Sequence, residues 1–121
     1  MLKLTVDQDR DHVVLAFDNP GQFLPMSQEQ CWVTADAIKE VAGECEAWVK
    51  AGGTRIVLTD PTIGCGVQGK DGKVWLVFQR RALKESIPYE GAIRLADTMM
   101  ECLQFVLGEE SKRLARTGRR K

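Results

Sequence analysis

The sequence predicts an α+β fold made of two β-β-α units, with a four-stranded antiparallel sheet and two helices on one of its faces. Two observations favour this fold. The second half of the 121-residue chain aligns with the first half without gaps when it is displaced by 61 residues. Each half also contains apolar stretches of strand length, followed by a longer segment whose apolar residues recur at helical spacing.

The alignment preserves both sides of the helical segments. Two carboxylates on the polar side, Asp36 and Glu40, align with two carboxylates in the second half. We therefore infer a duplication in which residues 1–53 and 54–108 are two repeats of one domain, residues 1–110. The apolar positions of the first helix also have apolar counterparts in the second helix: Cys31, Ala35, Ile38, Ala42 and Cys45 align with Ala92, Ala96, Met99, Leu103 and Val106.

Each repeat is predicted to contribute two strands. In the first half, residues 2–6 alternate between apolar and polar, and residues 12–17 form an apolar strand after an acidic turn. In the second half, the strands are predicted at 55–59 and 74–78, separated by a long loop at 60–73. The apolar strands of the two halves would form the central antiparallel pair, which makes the plan a permuted ferredoxin-like fold. Few residues would block the sheet edges, so an eight-stranded sheet across a homodimer is an alternative.

The helices have recognisable ends. Ser27 followed by Gln30 forms a capping box and predicts the start of the first helix, and the glycine pair beginning at Gly52 predicts its end. In the second half, Pro88 marks the predicted start and Gly108 the predicted end. Both segments are long enough to cover a four-stranded sheet.

The loop at 60–73 is the predicted partner-binding surface. It has 14 residues and four glycines, whereas the corresponding turn in the first half is short. Loops inserted at a surface carry functional residues disproportionately often, although such a loop can also be an idle elaboration. The residues predicted to contact a partner are Gly64, Cys65, Gly66, Gln68 and Lys70.

The same loop matches two phosphate-binding patterns, GxGxxG and GxxxxGK, over residues 64–70. Both patterns require a helix next, because the phosphate binds at a helix N-terminus. Here a turn at Asp71-Gly72 and an apolar strand follow instead. We therefore predict no cofactor.

No catalytic or metal-binding set is predicted. The single histidine, His12, begins one central strand, and the exposed Cys65 precedes the other, so the two would lie at opposite ends of the sheet. Asp7, Asp9 and Asp11 resemble the start of a calcium loop, but His12 replaces the required glycine. We interpret these residues as an acidic turn and predict that the protein is not an enzyme.

The charge distribution is asymmetric although the net charge is zero. Residues 111–121, the basic tail, contain six cations and no anions, which leaves 11 of the 17 cations against 17 anions in residues 1–110. The tail could bind nucleic acid by counterion release, bind a protein partner, or fold back on the acidic body. Its cations are Lys112, Arg113, Arg116, Arg119, Arg120 and Lys121.

Two further surface features have alternative interpretations. The helical carboxylates could be an acidic docking face, but a solvated helix face explains them as well. The three tryptophans, Trp32, Trp48 and Trp75, are expected to be core or interface anchors.

The compartment is predicted from what the sequence lacks. Its longest apolar runs have five residues, which is too short to span a membrane, and the first residues contain no signal-type stretch. The four cysteines follow no disulfide or CxxC spacing. We therefore expect a cytoplasmic protein with reduced cysteines.

The apolar strand Val13–Phe17, followed by Leu24-Pro25-Met26-Ser27 before an alanine-containing helix, resembles small accessory proteins of bacteriophages and prophages. The resemblance covers most of each half and implies no site residue. It implies a setting in the host cytoplasm, where such proteins bind host machinery or serve in virions.

Together these observations predict a non-enzymatic binding protein that contacts a protein partner through the 60–73 loop, an edge strand or the basic tail. The alternative is a nucleic-acid-associated protein that binds DNA or RNA electrostatically through the tail.

Overall fold

The structure is a computed structural model that describes residues 4–56, 65–70 and 72–118. The first half contains β1 (Leu4–Asp9), β2 (His12–Met26) and α1 (Gln28–Lys50). The second half contains β3 (Cys65–Lys70), β4 (Lys73–Pro88) and α2 (Tyr89–Gly118). The predicted α+β class and the order β-β-α-β-β-α are confirmed.

The backbone repeats with the same displacement as the sequence. In the first hairpin Leu4 pairs with Phe17, and in the second hairpin Cys65 pairs with Phe78, so both partners move by 61 residues. The helices begin at Gln28 and Tyr89, which are also 61 residues apart. The two halves therefore share their hairpin register as well as their element order.

Neighbouring strands pair antiparallel in the order β1-β2-β4-β3. The pairing of β2 with β4 contains register shifts between Ala16 and Phe23. These shifts divide the strands into two small antiparallel parts of three strands each, rather than the single regular sheet that the sequence predicts. One part contains β1 and the other contains β3, each beside one segment of β2 and one of β4: 12–16 with 84–88, and 23–26 with 74–77.

The two central strands are longer than predicted. The sequence predicts short strands at 12–17 and 74–78 that pair with each other, but β2 continues to Met26 and β4 continues to Pro88. The direct partners of 12–16 are therefore residues late in β4. The polar and proline-containing residues after each apolar stretch have low strand propensity, and pairing between the two long strands overrides it.

The predicted loop at 60–73 is wrong over much of its length, because Cys65–Lys70 form β3. The hairpin turn to β4 contains Gly72, which has φ 72°. The strand predicted at 55–59 is not seen either: Arg55 and Ile56 have no regular structure, and residues 57–64 lie outside the described residues. Backbone hydrogen bonds to β4 hold β3 in place despite its two glycines.

The predicted ends of α1 are confirmed. The hydroxyl oxygen of Ser27 accepts a hydrogen bond from the backbone amide of Gln30 at 3.1 Å. At the other end Gly52 has φ 97°, and the amide of Gly53 donates to the carbonyl of Trp48 at 3.1 Å. These bonds satisfy backbone groups that the helix itself leaves without partners.

The end predicted for α2 at Gly108 is wrong, since the helix begins directly after Pro88 and continues to Gly118. One glycine in a helix costs only about 1 kcal/mol, which neighbouring residues can offset. The basic tail, residues 111–121, is therefore helical as far as residue 118.

One hydrophobic core joins the two halves. All ten helical positions predicted to be apolar counterparts are buried, and they share one cluster with residues from β2 and β4. The helices also contact each other directly, because the Cys31 thiol donates to the carbonyl oxygen of Met99 at 3.7 Å. The strand residues of this core are Val13, Leu15, Leu24, Met26, Val74, Leu76, Phe78 and Ile87.

Candidate partner-binding site

The predicted contact residues lie on β3 rather than in a loop. Gly66, Gln68 and Lys70 are exposed. The backbone of Cys65 begins the strand, whereas Gly64 lies outside the described residues. The structure therefore places the described part of this set along one strand at the edge of the pairing order.

The end of β3 approaches α2 closely at Gly69. A β-carbon on Gly69 would lie 2.9 Å from Cγ2 of Val106, 3.2 Å from Sγ of Cys102 and 3.9 Å from Cδ1 of Phe105. Only glycine fits at this position without a steric clash, because a larger residue would displace α2. Phe105 therefore lies beside the strand, and 63% of its surface is exposed.

The first turn of α1 reaches the same end of the molecule. The side-chain amide of Gln28 donates to the carbonyl oxygen of Gly72, in the β3–β4 turn, at 3.3 Å. Trp32 follows one helical turn later and is 56% exposed. We call the region formed by Gln28, Trp32, Phe105, residues 68–70 and residues 72–73 the aromatic end.

The opposite end of the molecule holds a buried polar cluster around Asp11. The sequence predicts Asp11 in an acidic turn; the residue does lie in the turn between β1 and β2, but only 1% of its surface is exposed. Its carboxylate accepts hydrogen bonds from the Ile56 amide at 2.9 Å and from Nε of Arg55 at 3.1 Å. Its backbone carbonyl accepts a bond from the amide of Tyr89, at the start of α2, at 3.0 Å.

Two further residues complete this cluster. Arg55 also forms an ion pair with Glu90 and lies 5.4 Å from the centre of the Tyr89 ring. Nδ1 of His12 lies 3.0 Å from the Asp11 carboxylate, which holds the proton on that nitrogen because a carboxylate only accepts. We call the region formed by Asp11, His12, Arg55, Tyr89 and Glu90 the polar end.

The polar end is held together by charge. Burial alone would raise the pKa of Asp11, but hydrogen bonds from the Ile56 amide, the Arg55 guanidinium and the His12 ring lower it to about 2. His12, predicted at a strand edge, begins β2 but is buried, and its Nε2 has no hydrogen-bond partner among the described residues. Through its carboxylate and its backbone carbonyl, Asp11 joins the first hairpin to the segment after α1 and to the start of α2.

The described thiols are poor nucleophiles. Burial raises the pKa of Cys31 to about 11 and also raises the pKa of Cys45 and Cys102. Cys45 donates its thiol proton to the carbonyl oxygen of His12 at 3.4 Å. Their positions agree with roles as small buried side chains.

The sequence reasoning missed Asp11, Arg55 and Glu90 as a cluster. Asp11 and Arg55 are 44 residues apart, and only the fold brings them together. One signal was present: the duplication aligns Asp11 with Gly72, so the two hairpin turns have different residues at equivalent positions.

The two ends are equivalent by the duplication but have diverged in chemistry. Phe105 aligns with Glu44, and Lys70 aligns with Asp9. Trp32 aligns with Ile93, which is only partly exposed. At two of these three positions, an aromatic or basic residue at one end corresponds to an acidic residue at the other.

The basic tail begins close to the aromatic end, because α2 passes Phe105 before it reaches Lys112. Lys112 is exposed, and its ammonium group lies 3.7 Å from the Glu109 carboxylate. Arg113 and Arg116 belong to the same helix, whereas Arg119, Arg120 and Lys121 lie outside the described residues.

Within the described ranges, no group of three or more His, Cys, Asp and Glu side chains is arranged to hold a metal ion. In that same part of the chain, neither helix has a stretch of sufficient length and apolarity to cross a bilayer.

Comparisons with known proteins identify no relative: no family model, no curated protein and no solved structure matches the chain.

The close approach at Gly69 gives a direct prediction. We expect Gly69→Ala to lower the free energy of unfolding by about 1 to 3 kcal/mol, because the new methyl group would overlap Val106 and Cys102. Urea denaturation followed by circular dichroism measures the change. Gly66→Ala is the matched control on the same strand, since the nearest atom to its β-carbon would be the carbonyl oxygen of Val77 at 4.0 Å. Equal effects of the two substitutions would contradict the packing of β3 on α2.

Proposed function

We propose that this chain is a non-enzymatic binding protein whose contact surface for a protein partner is the aromatic end. The observation that carries the proposal is the exposure of two large aromatic side chains, Trp32 at 56% on α1 and Phe105 at 63% on α2, of which Phe105 lies beside Gly69 of β3. Aromatic residues are enriched at the centres of protein interfaces, where they act as anchors.

The divergence of the two ends supports this choice of surface. The alignment of Phe105 with Glu44 means that the same helical position is apolar at one end and charged at the other. A solvent-exposed helix position with no binding role is more commonly occupied by a polar residue. Gln68 and Lys70, which the sequence analysis predicts to contact a partner, lie in the same region and would form its polar rim.

The state of the reactive groups supports binding over catalysis. The Asp11 carboxylate is used by Arg55, Ile56 and His12, all within the protein. The raised pKa values of the described thiols reduce their thiolate fraction at neutral pH.

A capture experiment tests the proposed surface. A tagged wild-type chain and the variants Trp32→Ser and Phe105→Ser are used to capture proteins from nuclease-treated bacterial lysate, with mass spectrometry as the readout. We expect both variants to lose at least about 90% of the captured partner, because truncating an interface anchor costs more than about 1.4 kcal/mol. Glu44→Ser, at the position equivalent to Phe105, is the control and should retain it. Unchanged capture by both aromatic variants would contradict the proposal.

The second candidate function is electrostatic binding of DNA or RNA through the basic tail. The helical continuation of α2 favours it, because Lys112, Arg113 and Arg116 belong to one helix. A variant with serine at these three positions should lose salt-dependent affinity for a duplex, with a slope lower by about 0.9 for each phosphate contact removed. An unchanged salt slope would contradict this function.

We also infer that the architecture is a permuted ferredoxin-like plan from a phage-type setting. The pairing order β1-β2-β4-β3, with every neighbouring pair antiparallel, supports the first inference. The pattern of apolar residues in each repeat supports the inference of a phage-type setting.

A further inference from the structure

Two cysteines lie at the contact between the two helices. The Cys31 thiol, on α1, donates to the carbonyl oxygen of Met99, on α2, at 3.7 Å. A helical side chain covers the turn that precedes its own Cα, so the side chain of Cys102 lies over the turn of α2 that contains Met99. Both thiols are therefore at the same turn of α2, one from each helix.

The second hairpin places the same two residues independently. Sγ of Cys102 would lie 3.2 Å from a β-carbon on Gly69. Three residues before Cys31, the side chain of Gln28 donates to the carbonyl oxygen of Gly72 in the turn of that hairpin. Burial and the charge that Cys102 would carry beside it raise the pKa of Cys31 to about 11. These observations agree that the two thiols are neighbours.

The duplication shows that the pair occupies one of two equivalent helix contacts. Cys31 aligns with Ala92 and Cys102 aligns with Val41, so the equivalent positions hold side chains without sulfur. Alanine and valine show that the contact itself requires only small apolar side chains. Packing therefore does not explain why both residues of one contact are thiols.

The two thiols differ in their access to solvent. Cys31 is fully buried, whereas Cys102 is partly exposed. A small oxidant in solution therefore reaches Cys102 first, and Cys31 is placed to react with the product. Because burial also raises the pKa of Cys102, its thiolate fraction is small at neutral pH and the first step is slow there.

We propose that Cys31 and Cys102 are a redox-sensitive pair that forms a reversible disulfide between α1 and α2 when the protein meets hydrogen peroxide. The Cys102 thiolate attacks one peroxide oxygen and becomes a sulfenic acid, and the other oxygen leaves as hydroxide, which takes up the proton lost by Cys102. The Cys31 thiolate then attacks the Cys102 sulfur, the sulfur–oxygen bond breaks, and the released hydroxide takes up the proton lost by Cys31. In total the two thiols lose two hydrogens, and one hydrogen peroxide is reduced to two waters. The pair is separate from the proposed contact surface, and its test requires no partner.

The disulfide should stabilise the folded protein. It would join residues that are far apart in the chain and already adjacent in the fold, so it would restrict mainly the unfolded chain. We expect the unfolding equilibrium constant of the oxidised protein to be at least about 30-fold smaller than that of the reduced protein. Urea denaturation of the two forms, followed by circular dichroism, measures this ratio.

The linkage itself can be identified directly. The full chain is treated with hydrogen peroxide at about pH 8.5, the remaining thiols are alkylated, and the protein is digested without reduction. Trypsin places the four cysteines on four different peptides, residues 11–39, 40–50, 56–70 and 95–112, so mass spectrometry identifies each linkage. We expect peptide 11–39 linked to peptide 95–112, an intact mass lower by two hydrogens, and recovery of both thiols on reduction.

Oxidation in denaturing urea is the control for the folded geometry. Loop closure in an unfolded chain favours cysteines that are near in sequence, so Cys31 should then link to Cys45 rather than to Cys102.

Matched variants show which thiols are required. Cys31→Ser and Cys102→Ser should each abolish the native linkage. Cys45→Ser is the control on the same helix as Cys31, and its hydroxyl can donate to the carbonyl oxygen of His12 as the thiol does. This variant should retain the linkage.

Two outcomes would overturn the inference. One is a folded wild-type chain in which the 31–102 linkage is no more frequent than in urea, including a chain that only gains oxygen. The other is a 31–102 linkage that does not stabilise the folded protein, because the helices would then have to move apart to form it.

Discussion

Asp11→Asn is expected to lower the free energy of unfolding by about 2 to 4 kcal/mol at neutral pH. The substitution removes a buried negative charge that accepts hydrogen bonds from Arg55, the Ile56 amide and His12. Removing one partner from a buried, charged network costs more than an average hydrogen bond, because the groups left behind stay desolvated. Urea denaturation of the wild type and the variant measures the difference.

Because of the same carboxylate, the free energy of unfolding should depend on pH in the acidic range. Its pKa is about 2 in the folded protein and 3.8 in its unperturbed state, so the unfolded chain binds the proton first as the pH falls. The stabilisation is therefore complete above about pH 4 and is lost progressively as the pH falls toward 2. A shift of this size corresponds to about 2 kcal/mol. The difference in stability between the wild type and Asp11→Asn should shrink over that interval.

Asp9→Asn is the matched control for Asp11→Asn. Asp9 is the last residue of β1, two residues before Asp11, and its ion pair with Arg10 is exposed on both sides. Exposed ion pairs contribute little, so this variant should change the free energy of unfolding by less than about 0.5 kcal/mol. Similar losses for the two variants, or a pH-independent difference for Asp11→Asn, would contradict the role assigned to the polar end.

Leu15→Ala and Leu76→Ala should each lower the free energy of unfolding by about 2 to 5 kcal/mol, and the two losses should be similar. The two residues are equivalent in the duplication, and both are fully buried in the one core cluster. The cost comes from lost burial and from the cavity that the smaller side chain leaves. Because the cluster joins both halves, each variant should unfold in a single transition that can be followed by tryptophan fluorescence and circular dichroism.

Leu107→Ala is the control for the two core variants. Leu107 is 45% exposed, so its truncation should cost less than about 0.5 kcal/mol. Two separated transitions in either core variant would indicate that the halves fold independently. That result would contradict a shared core.

The sequence by itself determined the elements that depend on local pattern. The spacing of apolar residues identified both helices, and the residues that it aligned, such as Ile38 with Met99, are all buried. Ser27 and Gly52 act at the ends of α1 as their side-chain and backbone chemistry requires. These features were predictable because helix periodicity and capping involve residues that are close in the chain.

The contact residues were located only in part. Gln68 and Lys70 are exposed, but they lie on a strand, whereas the sequence analysis predicts a loop at 60–73 and a strand at 55–59. Applying the displacement of 61 residues to β1 would have located β3 correctly. Trp32 was expected to be an anchor in a core or an interface, and its exposure excludes the core.

The tertiary structure alone decided the length of β2 and β4, the burial of Asp11 and the position of the aromatic end. Each depends on groups that are distant in sequence: Pro25 pairs with Trp75, Asp11 binds Arg55, and Phe105 lies beside Gly69. Strand propensity and side-chain polarity describe a residue alone, whereas pairing and burial depend on which other residues the fold brings to it. For this reason the repeated pattern predicts two similar halves, and only their packing shows that the two ends have different chemistry.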